Sequence, residues 1–80
     1  MVRTEQGMDA QIVDTVLKAQ LVAMRERLDQ AAGIAKAAEA CGATGNIEKA
    51  VEIALDVEQL IFEVSTILNA ASLLKKMSNK

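Results

Sequence analysis

The sequence predicts an all-α fold, an antiparallel two-helix hairpin that dimerises into a four-helix bundle. Two long segments carry apolar residues at alternating spacings of four and three, which keeps them on one helix face. A single glycine-containing break separates these segments. The 80-residue chain contains no proline, tryptophan or tyrosine and one phenylalanine, a composition typical of helices that pack on helices.

The first helix is expected over residues 9–41, after a tail at 1–8. Its apolar residues are large in the N-terminal half and are mostly alanines towards the C-terminal end. Because small side chains let two backbones approach closely, this order predicts a hairpin that is narrow at its turn and wider at its open end. The expected packed row is Leu17, Leu21, Met24, Leu28, Ala31, Ala35 and Ala38.

The turn is expected over residues 42–46. Gly42 suits the left-handed conformation that often follows a helix C-terminus. Asn46 suits the N-cap of the next helix, and Glu48 would lie in its first turn, where the helix dipole favours a carboxylate. A connection this short predicts that the two helices run antiparallel.

The second helix is expected over residues 47–77, with a tail at 78–80. Its packed row is Ile53, Val57, Leu60, Val64, Ile67, Ala71 and Leu74. Both helices carry further apolar residues, which a two-helix hairpin would leave in water. Soluble monomers avoid large exposed apolar patches, and a chain of this size gains stability from a second copy. We therefore predict a homodimer with a two-fold interface. The expected interface residues are Ile12, Val16, Ala19, Ala23, Ile47, Ala54, Ile61, Phe62 and Leu68.

The residues that carry chemistry are few. The chain has no histidine and one cysteine, Cys41, which is expected at a helix C-terminus, where the positive field that activates a thiol is absent. Metal sites in helical bundles combine inward glutamates with Glu-x-x-His pairs, which need histidine. We therefore expect no enzyme activity, no catalytic residue, no cofactor and no metal, and interpret Cys41 as a small packing residue.

The charged residues favour a protein partner over nucleic acid. The formal net charge is −2, which argues against nucleic acid and anionic membranes. Acidic residues also interrupt the basic cluster Arg3, Lys18, Arg25 and Arg27. Towards the start of the second helix, an acidic strip predicts a protein partner with a basic surface. The strip consists of Glu48, Glu52, Asp56 and Glu63.

No targeting or membrane segment is expected. The N-terminal residues lack the apolar run of a signal peptide, and the longest uncharged stretch of the second half, residues 64–74, is shorter than the ~18 residues that span a bilayer. We expect a cytoplasmic protein-protein interaction module that acts as an adaptor or regulatory subunit. Two alternatives remain open: a structural or secretion-type hairpin subunit of a larger assembly, and a small nucleic-acid-binding regulator.

Overall fold

The computed structural model describes residues 9–78, which are all-helical apart from the N-cap residue, one turn and one bend. The helices are α1 (Ala10–Ala43), α2 (Ile47–Leu55) and α3 (Val57–Ser78). Helix α1 forms one arm of a hairpin and packs against both α2 and α3, which together form the second arm. The predicted all-α class is confirmed. The expected tails lie outside the described residues, apart from Ser78, which belongs to α3.

Helix α1 begins with a side-chain cap. A carboxylate oxygen of Asp9 accepts hydrogen bonds from the backbone N–H groups of Gln11 at 2.7 Å and Ile12 at 3.4 Å. These N–H groups have no partner within the helix, so the cap stabilises its first turn. Helix α1 ends two residues later than expected, at Ala43.

The left-handed glycine of the turn is Gly45, with a φ of 95°. The prediction of this conformation at Gly42 was wrong, because Gly42 lies inside α1 and against the start of α2. A Cβ atom built at Gly42 would lie 3.5 Å from Cβ of Ala50. The predicted cap is confirmed, since Oδ1 of Asn46 accepts a hydrogen bond of 3.2 Å from the N–H of Lys49.

The second arm bends at Asp56, whereas a continuous helix was expected. The N–H of Asp56 donates to the carbonyl of Ile53 at 3.1 Å, three residues back instead of the four of an α-helix. The second arm therefore has one tighter helical turn, at Asp56. No glycine or proline marks the bend, and the apolar spacing continues through it.

The inner row of α1, which faces the second arm, differs from the expected row. Leu21, Leu28 and Ala35 were predicted to pack inside the hairpin, and all three are exposed. The residues that do face the second arm form a neighbouring row. This row shares every second position with the expected one, and at the positions between them it contains the preceding residue. Its members are Val13, Leu17, Gln20, Met24, Arg27, Ala31, Ile34, Ala38 and Cys41.

Both rows obey the helical repeat, so spacing alone does not choose between them. The observed row places Val13 and Ile34 inside as well, and it brings Arg27 beside Glu63 of the second arm. The long stem of an arginine packs against apolar groups while its charged end remains near water.

The inner row of the second arm agrees with the prediction. All its expected residues, from Ile53 to Leu74, are partly buried, and Ala50 extends the row towards the turn. The hairpin nevertheless has a small core. Val13, Ala31 and Ala38 are the buried hydrophobic residues of the described chain.

Candidate interaction surface

The hairpin has two long sides, which are defined by the inner rows. In an antiparallel pair, residues that precede inner positions on the two arms lie on one side, and residues that follow inner positions lie on the other. Gln30, Ala37 and Asp56, which each precede an inner residue, line one groove. Residues that follow the inner positions of both arms therefore share the opposite side.

The side formed by the following residues is apolar along most of its length, and we call it the apolar strip. Its large side chains are well exposed: Leu21 by 59%, Leu28 by 43%, Ile61 by 45% and Leu68 by 52%. Two long rows of exposed side chains thus run beside each other with no charge between them. The strip consists of Leu21, Leu28 and Ala35 of α1 and Ile47, Ala54, Ile61 and Leu68 of the second arm.

Contacts between the arms fix the level of each residue along the strip. Arg27 pairs with Glu63, and the Cα of Gly42 lies next to Ala50. At this register Ile61 lies within about one helical turn of the level of Leu28. Leu21 and Leu68 lie seven residues from Leu28 and Ile61, towards the open end of the hairpin. Ala35 and Ala54 lie seven residues from them in the other direction, towards the turn.

The predicted interface residues divide between different surfaces. Ile47, Ala54, Ile61 and Leu68 belong to the apolar strip. A second set of four residues lies on the opposite side of α1. Phe62 lies on the outer face of α3, away from α1. Sequence reasoning missed Leu21 and Leu28 as surface residues because it assigned them to the core. The second set consists of Ile12, Val16, Ala19 and Ala23.

The side opposite the apolar strip carries the polar contact between the arms. Nε of Arg27 donates to Oε1 of Glu63 at 2.8 Å, and Nε2 of Gln59 donates to Oε2 of the same carboxylate at 3.1 Å. Nη1 of Arg27 also donates to the carbonyl of Ala23 at 3.1 Å. The hydrogen bonds from Gln59 and Arg27 hold the pKa of Glu63 below its ordinary value.

The predicted acidic strip is partly neutralised within the hairpin. Glu63 pairs with Arg27, and Glu52 lies 3.5 Å from the ammonium group of Lys49. Glu48 lies in the first turn of α2, where the helix dipole favours it. A basic partner for these carboxylates stays a prediction.

The other chemistry-bearing residues form no compact site in the described part of the chain. Sγ of Cys41 lies 3.6 Å from the carbonyl oxygen of Asn46 at the end of α1. Across residues 9–78, no three side chains of the metal-binding types come together. No helix in this range has the length and apolar character needed to cross a membrane.

Comparisons with protein-family models, curated proteins and solved structures find no match to this chain. The features of this chain that bear on its function are therefore the surfaces of the hairpin, above all the apolar strip.

Proposed function

We propose that this chain is a protein-interaction module that pairs with a second copy through the apolar strip. The resulting four-helix bundle would act as an adaptor or regulatory subunit without catalytic activity. The observation that carries this proposal is the exposure of Leu21, Leu28, Ile61 and Leu68 in one continuous surface. Surfaces of this kind mark interaction sites in soluble proteins.

The energy available from the strip is of the same order as the cost of association. Burying the exposed half of a leucine or isoleucine side chain contributes about 1 kcal/mol. Ile47, which is also exposed, adds a fifth large side chain to each copy. Ten such side chains in a dimer contribute about 10 kcal/mol, which is comparable with the ~4–15 kcal/mol that association costs in lost freedom.

A dimer formed through the strip leaves the outer face of the second arm free for another protein. Leu55 and Phe62 lie one heptad apart on this face, and Phe62 is 65% exposed. Asp56 and Glu58 line the same shallow groove. An apolar anchor beside carboxylates suits a partner that presents apolar and basic side chains, which supports the adaptor role.

The test of the dimer is sedimentation equilibrium at micromolar concentration, with far-UV circular dichroism on the same samples. The wild-type chain is expected to sediment at twice its monomer mass. The double variant Ile61→Glu, Leu68→Glu should be monomeric and should lose most of its helical signal, because the lone hairpin buries few residues and the dimer supports its fold.

The matched control is Leu73→Glu, which removes an equally exposed leucine outside the strip. This variant should remain a folded dimer. A wild-type chain that stays a folded monomer at these concentrations would contradict the proposal, as would equal disruption by the strip variant and the control.

A further inference from the structure

The proposed dimer has two symmetric arrangements, which differ in the direction of the hairpins. We propose that the two copies are antiparallel, with the turn of each hairpin against the open end of the other. This inference rests on the proposed function, because it requires the apolar strips to face each other. It is carried by side-chain size along the strip and by charge along its border.

In the antiparallel arrangement, α1 lies over α1 of the partner, and the two-fold axis passes at the level of Leu28 and Ile61. Residues at equal distances on either side of that level then meet across the interface. Leu21, seven residues before Leu28, meets the partner's Ala35, and Leu68 meets the partner's Ala54. At these two positions a large side chain is opposite a small one, which is how close-packed interfaces interdigitate, whereas Leu28 and Ile61 meet their own counterparts at the axis.

The parallel arrangement places α1 over the second arm of the partner at the same level. Leu21 then meets the partner's Leu68, whereas Ala35 meets the partner's Ala54. Two large side chains would meet seven residues from the centre towards the open end, and two alanines would meet seven residues from the centre towards the turn. Crowding at one end and a gap at the other both cost packing energy.

A charge pair on the border of the strip favours the same arrangement, whereas Asp14 and Lys75, at the ends of the strip rows, would meet across the parallel one. Lys18 and Glu39 belong to one row of α1 that borders the strip, at nearly equal distances on either side of Leu28. Neither side chain forms an ion pair within residues 9–78. The antiparallel dimer brings Lys18 level with the partner's Glu39, and symmetry makes this contact twice. The parallel dimer places Lys18 opposite Ser72 of the second arm instead.

The direction can be measured with spin labels and pulsed dipolar spectroscopy in a Cys41→Ala background. Ala43→Cys places an exposed label at the end of α1, fifteen residues from Leu28. With a rise of ~1.5 Å per residue, the antiparallel dimer separates the two labels by about 45 Å, whereas the parallel dimer holds them within about 30 Å. Ala32→Cys places labels near the centre, within about 25 Å of each other in both arrangements.

The long distance at position 43, together with the short one at position 32, is the result expected. Short distances at both positions would overturn the antiparallel arrangement while leaving the dimer intact. The absence of any defined distance at position 32, together with a monomer mass, would mean that the proposed dimer itself fails.

A charge exchange provides an independent test by sedimentation at low salt. Lys18→Glu and Glu39→Lys should each raise the dimer dissociation constant about three- to tenfold, because each places like charges together twice. The double variant that carries both substitutions should return to the wild-type constant. Additive weakening in the double variant would overturn the proposed direction.

Discussion

The two long sides of the hairpin differ sharply at the same level. On one side Leu28 and Ile61 lie in water as the middle of the apolar strip. On the other, Arg27 and Glu63 form the ion pair that joins the arms. Arg27 and Leu28 are consecutive residues and lie about 100° apart around the helix. A rotation of α1 by about half that angle would exchange which of the two lies closer to the second arm.

The two rotations of α1 bury different residues. Turning α1 to place Leu21 and Leu28 inside would turn Val13 and Ile34 outward and would break the pairing of Arg27 with Glu63. The observed rotation leaves Leu21 and Leu28 in water, where a second copy can cover them. The ion pair is partly exposed and contributes modestly to stability, but it defines one register of the two arms.

The largest expected effect comes from overfilling the inner row. Ala31 is 7% exposed and faces the second arm, so Ala31→Leu should force the arms apart and lower the free energy of unfolding by about 1–3 kcal/mol. Urea unfolding at fixed protein concentration measures the change. Ala40→Leu is the matched control, because Ala40 is exposed on the side of α1 opposite the apolar strip and should have little effect.

Equal destabilisation by the two leucine substitutions would show that the arms do not approach closely at Ala31. Ala35 was expected from the sequence to lie in the packed row, where a leucine would have the same effect. Because Ala35 lies in the apolar strip, a leucine there is expected to disturb the contact between copies and not the inner row.

The sequence predicts the second arm better than the first for a physical reason. The inner row from Ile53 to Leu74 is almost continuously apolar, and its helical repeat matches the observed face. In α1 the expected and observed rows share every second position. At each position between, the helical repeat allows either of two consecutive residues to face the second arm. Leu21 and Leu28 have the stronger apolar signal, whereas Gln20 and Arg27 are the residues inside.

The observed face of α1 carries one long-range ion pair. The partner of Arg27 lies 36 positions later in the chain, and local spacing carries no information about it. The sequence signal in favour of the observed row was the apolar character of Val13 and Ile34, which fit only that row. The bend at Asp56 had no local signal, because no helix-breaking residue accompanies it, whereas the cap at Asn46 followed directly from residue chemistry.

The turn fixes the position of the second arm relative to α1. Substitutions in the turn therefore test which residues of the two arms lie on each side of the hairpin. Gly45→Ala should lower the free energy of unfolding by about 1–2 kcal/mol, because a Cβ atom disfavours the left-handed conformation of this residue. Gly42→Ala should be neutral or stabilising by up to ~1 kcal/mol. Its added Cβ would make ordinary contact with Ala50, and alanine favours the helix.

Thermal unfolding of the two alanine variants at equal concentration measures this difference. If Gly42→Ala were the more destabilising variant, the left-handed residue would lie at the earlier glycine, and the register of the two arms would have to be revised.

The smallest expected effect concerns the ion pair on the polar side. Hydrogen bonds from Gln59 and Arg27 lower the pKa of Glu63 from its ordinary value of 4.5. A carboxylate with a lowered pKa in the folded state stabilises the protein above its unfolded pKa and loses that contribution as pH falls through the folded pKa. Wild type should therefore be more stable than Glu63→Gln at pH 7, and the difference should shrink below about pH 4.5.

Urea unfolding of both proteins between pH 7 and pH 3 measures this difference. Glu58→Gln is the control, since Glu58 forms no ion pair within residues 9–78 and its substitution should leave stability nearly unchanged across the range. Because the Arg27–Glu63 pair is partly exposed, salt should also weaken its effect. A difference between wild type and Glu63→Gln that stayed constant from pH 7 to pH 3 would mean that the charge of Glu63 does not stabilise the hairpin.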